Sequence, residues 1–229
     1  MDVTRISIKK GLNLPIEGRP QQESIENAPA VTTVGVVGND YVGLKPSMRV
    51  EEGDRVKLGT PLFEDKRNPG VIFTAPGAGT VVAINRGARR VLQSVVIKLD
   101  GNEEEVFAQH APEALATLDP AAVRAQLIES GLWTRLRTRP FSKVPGVEAE
   151  AAAIFVTAMD TNPLAPDPEV IIADARDAFS QGLAVLSRLT SGELFVCRAP
   201  GAKVAVPALE AGKHALVEKP LGITIRACR

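Results

Sequence analysis

Residues 44–99 read LKPSMRVEEGDRVKLGTPLFEDKRNPGVIFTAPGAGTVVAINRGARRVLQSVVIKL. Short β-rich runs (Arg49-Val50, Pro61–Phe63, Val71–Thr74, Thr80–Ile84 and Val91–Ile97) alternate with turn signals at Glu52-Gly53-Asp54, Leu58-Gly59, Asn68-Pro69-Gly70, Pro76-Gly77-Ala78-Gly79 and Asn85-Arg86-Gly87. Strands this short between Gly and Asn-Pro turns predict a small, tightly turned β-barrel or sandwich, not helices. Glycine suits such corners because it takes positive φ without the steric cost of a Cβ.

The order of the pieces narrows the fold. V-x-x-G-D-x-V-x-x-G-x-P-L followed by A-P-x-x-G-T-V resembles the barrel-sandwich domain of biotinyl and lipoyl carriers, with Gly53 and Gly59 turning the first hairpins and Gly79 opening the return strand. In carriers the modified lysine lies on an exposed hairpin just ahead of that strand. Lys66 falls near this place, but Asp65 and Arg67 flank it where carriers have methionines. The resemblance therefore speaks to the fold first, and a carrier module modified at Lys66 is the alternative it raises.

Composition restricts the partners. The 229 residues hold 27 basic against 27 acidic side chains and only 4% aromatics, which gives neither the charge nor the stacking surface that nucleic acid requires. Cys197 and Cys228 are too few for an iron–sulfur cluster, zinc knuckle or disulfide framework, and His110 and His214 stand outside any ligand spacing, so no metal site is expected. The N-terminus lacks an unbroken apolar stretch and no run reaches the ~18 apolar residues of a membrane span, so the expectation is a cytoplasmic chain without signal peptide.

Along the chain, Ile6 and Ile8 mark a strand followed by an extended arm, residues 18–29 a polar loop or a segment that wraps around a neighbour, and residues 31–37 a buried strand. Four runs now carry a family resemblance: IKKGLNLPIEG, DYVGLKPSMRVEEGDRVKLGTPLFEDKRNPGV, FTAPGAGTVVAINRGARRVLQSVVI and FVTAMDTNPLAPDPEVII. They are similar to the NqrA family, a component of the bacterial sodium-translocating NADH:quinone oxidoreductase, from about Ile6 to about Pro200. A more distant similarity reaches the C subunit of the Rnf complex and the flavin-bearing subunit of respiratory complex I. The resemblance implies a peripheral subunit on the cytoplasmic face of the inner membrane. It would support electron transfer from NADH to ubiquinone coupled to Na+ export, alongside a membrane-embedded partner. Flavins and an iron–sulfur centre would sit on the other subunits. It also implies truncation, since family members are about twice this length.

Asp119-Pro120 reads as a helix start, with Val123, Leu127 and Ile128 at helical spacing up to Gly131. The following GLWTRLRTRPFSKVPG is the most informative stretch for function. In the Rnf and complex I relatives, a glycine-rich loop that holds flavin and nicotinamide phosphates occupies this position. Here Trp133, Arg135, Leu136, Arg137 and Arg139 stand instead, so backbone cradling of a pyrophosphate is not expected, and neither bound FMN nor a direct NADH site is predicted. The i, i+2, i+4 spacing of Arg135, Arg137 and Arg139 would place all three on one side of an extended strand. With Trp133, Phe141 and Lys143 they form the candidate site for a quinone ring stacked on the indole, an anionic head-group or an acidic partner surface, the alternative being a solvated or subunit-facing loop.

Residues 151–158, AAAIFVTA, predict a central parallel strand whose carboxyl end carries Asp160 and Asn162, either ligand-binding groups or an Asx turn. Residues 168–189 predict a helical segment with Phe179, Leu183, Leu186 and Leu189 on its apolar face, broken at Gly192 ahead of a strand over 194–197. Together these make a βαβ unit without a GxGxxG. From about Lys203 the family resemblance fades, and ALEAGKHALVEKPLG resembles the Glu-Lys-Pro segment of glucose-fructose oxidoreductase-type dehydrogenases, in which Lys219 would assist hydride transfer to NAD(P). That remote alternative lacks its Rossmann fingerprint. The expected architecture is mixed α+β. Residues 1–43 form an N-terminal strand and arm, 44–100 a barrel-sandwich domain, 101–200 a partial α/β Rossmann-like domain and 201–229 a divergent tail. The incomplete sheet should leave an apolar edge near Ile154 and Phe195.

Overall fold

Turn chemistry sets where the first half of the chain reverses. The computed structural model describes residues 16–18, 20–199, 214–217 and 227–228, the last two segments as backbone only. In it Gly53 and Gly59 take φ of +99° and +91°, as the corner positions require. The strands they separate form two antiparallel sheets. One has β1 (Thr33–Val37), β7 (Leu92–Leu99), β6 (Gly79–Arg86) and β3 (Arg55–Val56) in that order. The other has β2 (Pro46–Met48), β4 (Pro61–Asp65) and β5 (Ile72–Thr74). A Cβ on Gly79 would run into the carbonyl oxygen of Lys98 on the paired β7, so the return strand can begin there only with glycine.

Both sheets send side chains into one core. Leu62, Phe63, Val71, Phe73, Val81, Leu92, Val95 and Ile97 are buried, and the Phe63 and Phe73 rings stack with centroids 4.7 Å apart. Full burial of each such side chain contributes roughly 1.5–3 kcal/mol. The barrel-sandwich expectation holds.

Several details differ from the sequence reading. The strand expected at Arg49-Val50 lies at Pro46–Met48, although the Arg49 amide still donates to the Leu62 carbonyl at 2.9 Å. The two-residue β3 is too short for a periodicity signal. β1, expected to be buried, alternates between exposed and half-buried positions; among the described strands it lies at the sheet edge, paired to β7. That pairing draws residues before 44 into the β-rich unit.

The chain also returns to this unit later. Residues 28–109 and 119–149 form one compact body, so the expected boundaries at 43 and 100 do not follow its limits. The return is fastened by the Thr74 hydroxyl, which donates to the Ser130 carbonyl at 3.1 Å, and by the Asn68 amide, which reaches the Val144 and Pro145 carbonyls at 3.1 Å. It contains α1 (Pro120–Glu129), capped as its sequence predicts: Asp119 accepts from the Ala121 amide and Pro120 opens the helix.

The other unit contains residues 110–118 and the described residues up to 27 and from 150 onward. β8 (Ala151–Thr157) and β9 (Thr190–Arg198) run parallel, connected through α2 (Pro168–Asp174) and α3 (Arg176–Leu186). β10 (His214–Val217) adds parallel to β9, and β11 (Ala227–Cys228) antiparallel to β10. Leu183, Leu194, Val196 and Ala158 form the buried cluster, with Ile154, Ile172, Phe179 and Leu186 packed against it. The expected helix face is therefore the one that packs.

Two corrections apply here. Among the described strands β8 lies at the sheet edge and β9 inside it, because three consecutive alanines lengthen the apolar run without supplying much area to bury on two faces. The helical segment is also divided at Ala175, whose φ of −132° and ψ of 42° leave the helical region. The polar loop of residues 18–29 does tie down locally: Gln22 accepts from the Asp167 amide at 2.7 Å. Ile6, Ile8 and Lys219 lie outside the described residues.

Candidate functional site

The segment after α1 takes its shape from Gly131, whose φ of +77° ends the helix in the left-handed region. A single helical turn over Leu132–Arg135 follows and carries Trp133 inward. Trp133 is 3% exposed, donates from Nε1 to the Pro145 carbonyl at 3.0 Å, and lies under the Arg124 guanidinium at 5.3 Å from the ring centroid. Arg124 in turn reaches the Ala149 carbonyl at 2.9 Å. The indole therefore anchors the returning chain and offers no exposed face for a quinone ring, which corrects the stacking role expected of it.

The three arginines are not on one strand. Arg135 closes the helical turn, Arg137 follows one extended residue later, and Arg139 precedes Pro140 in a loop. The alternation that suggests a strand is interrupted because Gly131 starts a helical turn and Thr138 to Lys143 closes a loop. The Thr138 amide donates to the Lys143 carbonyl at 2.8 Å, the Ser142 amide to the Thr138 carbonyl at 2.8 Å, and the Thr138 hydroxyl to the Lys143 carbonyl at 3.1 Å. This pinned loop presents Phe141 at 72% exposure, flanked by exposed Arg139 and Lys143. Arg137 lies over the Tyr41 ring at 5.1 Å and also donates to the Leu136 carbonyl.

Tyr41 brings in residues that the sequence reading did not connect. Its ring meets Phe73 edge-on at 4.6 Å, and the Gly43 carbonyl two residues on accepts from Arg67 at 3.1 Å. The Lys66 amide donates to the Lys45 carbonyl at 2.9 Å, and the Asp65 carboxylate accepts from the amides of Lys45 and Arg67, both at 3.0 Å. Lys45, Lys66 and Arg67 are exposed. Thus the hairpin lysine at the carrier position and the basic loop belong to one face, built from three segments of the β-rich unit. No spacing could have signalled this, since the segments are far apart in the chain.

The base of the Lys66 hairpin is electrostatically braced. Glu64 accepts from the Gly70 amide at 2.9 Å and pairs with Arg49 at 2.7 Å, and these bonds hold its carboxyl below the usual range, the Gly70 amide contributing most. In the α/β unit, Asp160 accepts from both the backbone and side-chain nitrogens of Asn162 at 2.8 Å. These two residues thus make an Asx turn at the end of β8.

Comparison with known proteins accounts for both halves. Residues 6–100 match the sequence model described as the NqrA N-terminal barrel-sandwich hybrid domain, and residues 118–220 that of the NqrA second alpha/beta domain. The chain belongs to the NqrA family. Over 199 residues it is 61% identical to the NqrA protein of the Na(+)-translocating NADH-quinone reductase of Neisseria meningitidis serogroup B, covering 87% of this chain and 44% of that protein. The corresponding proteins of Pasteurella multocida and Shewanella frigidimarina are 57% and 54% identical over 204 and 213 residues, covering 89% and 91% of this chain and 46% and 48% of theirs. The NqrA-family chain therefore spans about half the length of the curated relatives it matches.

The second-domain match ends at residue 220, well beyond the point near residue 200 where the resemblance was expected to fade. Most of ALEAGKHALVEKPLG, including Lys219, thus falls within an NqrA-family domain, which removes the basis for the dehydrogenase reading. Among the described residues, no group of three or more His, Cys, Asp or Glu is placed to hold a metal ion. No described helix is long and apolar enough to cross a membrane.

Proposed function

We propose that the chain acts as a subunit of a sodium-translocating NADH:quinone reductase, supporting electron transfer from NADH to ubiquinone coupled to Na+ export. The observation that carries this reading is the ordered match of two successive NqrA domains, at 54–61% identity to proteins named as components of that enzyme. The partners would be the other subunits, a membrane-embedded one among them, with the chain peripheral on the cytoplasmic face.

In this reading the chain holds no cofactor of its own, and flavins and the iron–sulfur centre belong elsewhere in the complex. Its contribution is a surface. Arg135, Arg137, Arg139, Phe141 and Lys143 face outward, and Trp133 fixes the segment that bears them. Quinone contact is the narrower version, and it would have to use Arg137, Arg139 and Phe141 without the indole.

Co-purification decides the main reading: the chain should be retained with membrane-embedded subunits and NADH-dependent quinone reduction. Its elution alone, under conditions in which a version extended to full family length is retained, would assign the function to the longer form. Flavin that stays with the purified chain through gel filtration would refute the cofactor-free part. Quinone-analogue affinity unchanged in Arg137→Ala and Arg139→Ala would remove the quinone version.

A further inference from the structure

The basic face around Phe141 has a composition that narrows what it meets. Residues 130–147 carry four cations, Arg135, Arg137, Arg139 and Lys143, and no acidic side chain. The contacts through Tyr41, Gly43 and Asn68 bring Lys45, Lys66 and Arg67 to the same face. The acidic residues along the contributing segments are Asp40, exposed beside Tyr41, Glu64, paired with Arg49, and Asp65, whose carboxylate already accepts two backbone amides. At the end of the pinned loop, Phe141 stands 72% exposed between cations, and Val42 beside Tyr41 is 55% exposed.

A bare aromatic ringed by long cationic side chains suits a boundary between a charged layer and an apolar one. The cations come from three separate loops and not from a sheet edge or a helix face. They therefore present a broad positive field and no fixed register for the carboxylates of a polypeptide. We infer that this face docks on anionic phospholipid headgroups, with Phe141 entering the interfacial layer and Lys45, Lys66, Arg67, Arg139 and Lys143 meeting the phosphates. The inference deepens the reading proposed above by naming what the exposed segment touches.

The test is flotation of the 229-residue chain with phosphatidylcholine vesicles, with and without phosphatidylglycerol, at low and high NaCl. The chain should float only with phosphatidylglycerol and should be released by salt, because headgroup attraction acts within a Debye length. Arg139→Glu with Lys143→Glu should weaken partitioning about tenfold or more, at roughly severalfold for each charge removed. Phe141→Ser should weaken it severalfold without changing the salt dependence. Lys143 holds the loop through its carbonyl, so the side-chain change spares the loop, and far-UV circular dichroism verifies the fold.

The β6–β7 hairpin supplies a control of similar charge: reversal of Arg86, Arg89 and Arg90 should leave flotation intact. Absence of flotation at low salt, equal flotation on phosphatidylcholine alone, or equal loss from the hairpin reversal would overturn the inference. Binding to poly-glutamate without binding to vesicles would do the same in favour of an acidic polypeptide. A chain that co-purifies with membrane-embedded partners but does not float leaves the proposed function standing and removes the lipid contact. One that floats through Phe141 but never co-purifies does the reverse.

Discussion

The β-rich unit and the α/β unit bury their cores in different ways. In the first, Leu62, Phe63, Val71, Val81, Val95 and Ile97 reach 0% exposure between two small sheets joined by tight turns. In the second, one mostly parallel sheet is covered by α2 and α3, and the buried cluster centres on Leu183, Leu194, Val196 and Ala158 with several half-buried neighbours. Closely spaced turns leave short strands no freedom to slip, so each side chain has one place to go. A sheet covered through a longer connection depends on how the helices settle, and residues such as Phe155 remain 44% exposed.

The sharpest way to break this contrast is to empty both cores. Phe73→Ala removes a ring that contacts Tyr41 and Phe63, and should cost about 3–5 kcal/mol, read as a lowered midpoint in the urea unfolding of the β-rich unit. Leu183→Ala should cost about 2–4 kcal/mol, and should speed proteolysis within residues 150–199 more than within 44–99. Equal protease sensitivity of both regions in that variant would show that the two cores melt as one.

Smaller effects sharpen the comparison. Asp119→Ala removes the α1 cap and should cost about 1 kcal/mol in thermal unfolding. Glu64 has a folded pKa held below its unfolded value of about 4.3, so its stabilising share is full above that value and is lost as pH falls through the folded one. Glu64→Gln should therefore flatten the acid limb of the stability curve below about pH 4.3 and leave its slope near neutrality unchanged. Phe141→Ser, on the exposed loop, should change stability by about 0.5 kcal/mol or less.

Legibility follows the same division. The Gly53, Gly59 and Asn68-Pro69-Gly70 corners were readable because backbone sterics at a turn depend on the residues in that turn. The Asp119-Pro120 helix start was readable for a similar local reason. At the candidate site the residue types were legible and their arrangement was not. Trp133 looked like a stacking platform, yet it packs beneath Arg124 because Gly131 turns the chain inward. Alternating arginines looked like a strand, yet hydrogen bonds between Thr138 and Lys143 close them into a loop.

By itself the sequence determined the turn positions, the β-rich and βαβ halves, and membership of the NqrA family, all of which reside in short runs of neighbouring residues. Only the tertiary structure decided that Trp133 is internal and that Lys45, Lys66 and Arg67 share a face with Arg137 and Phe141. Burial and charge proximity arise from segments remote along the chain, so no local pattern encodes them.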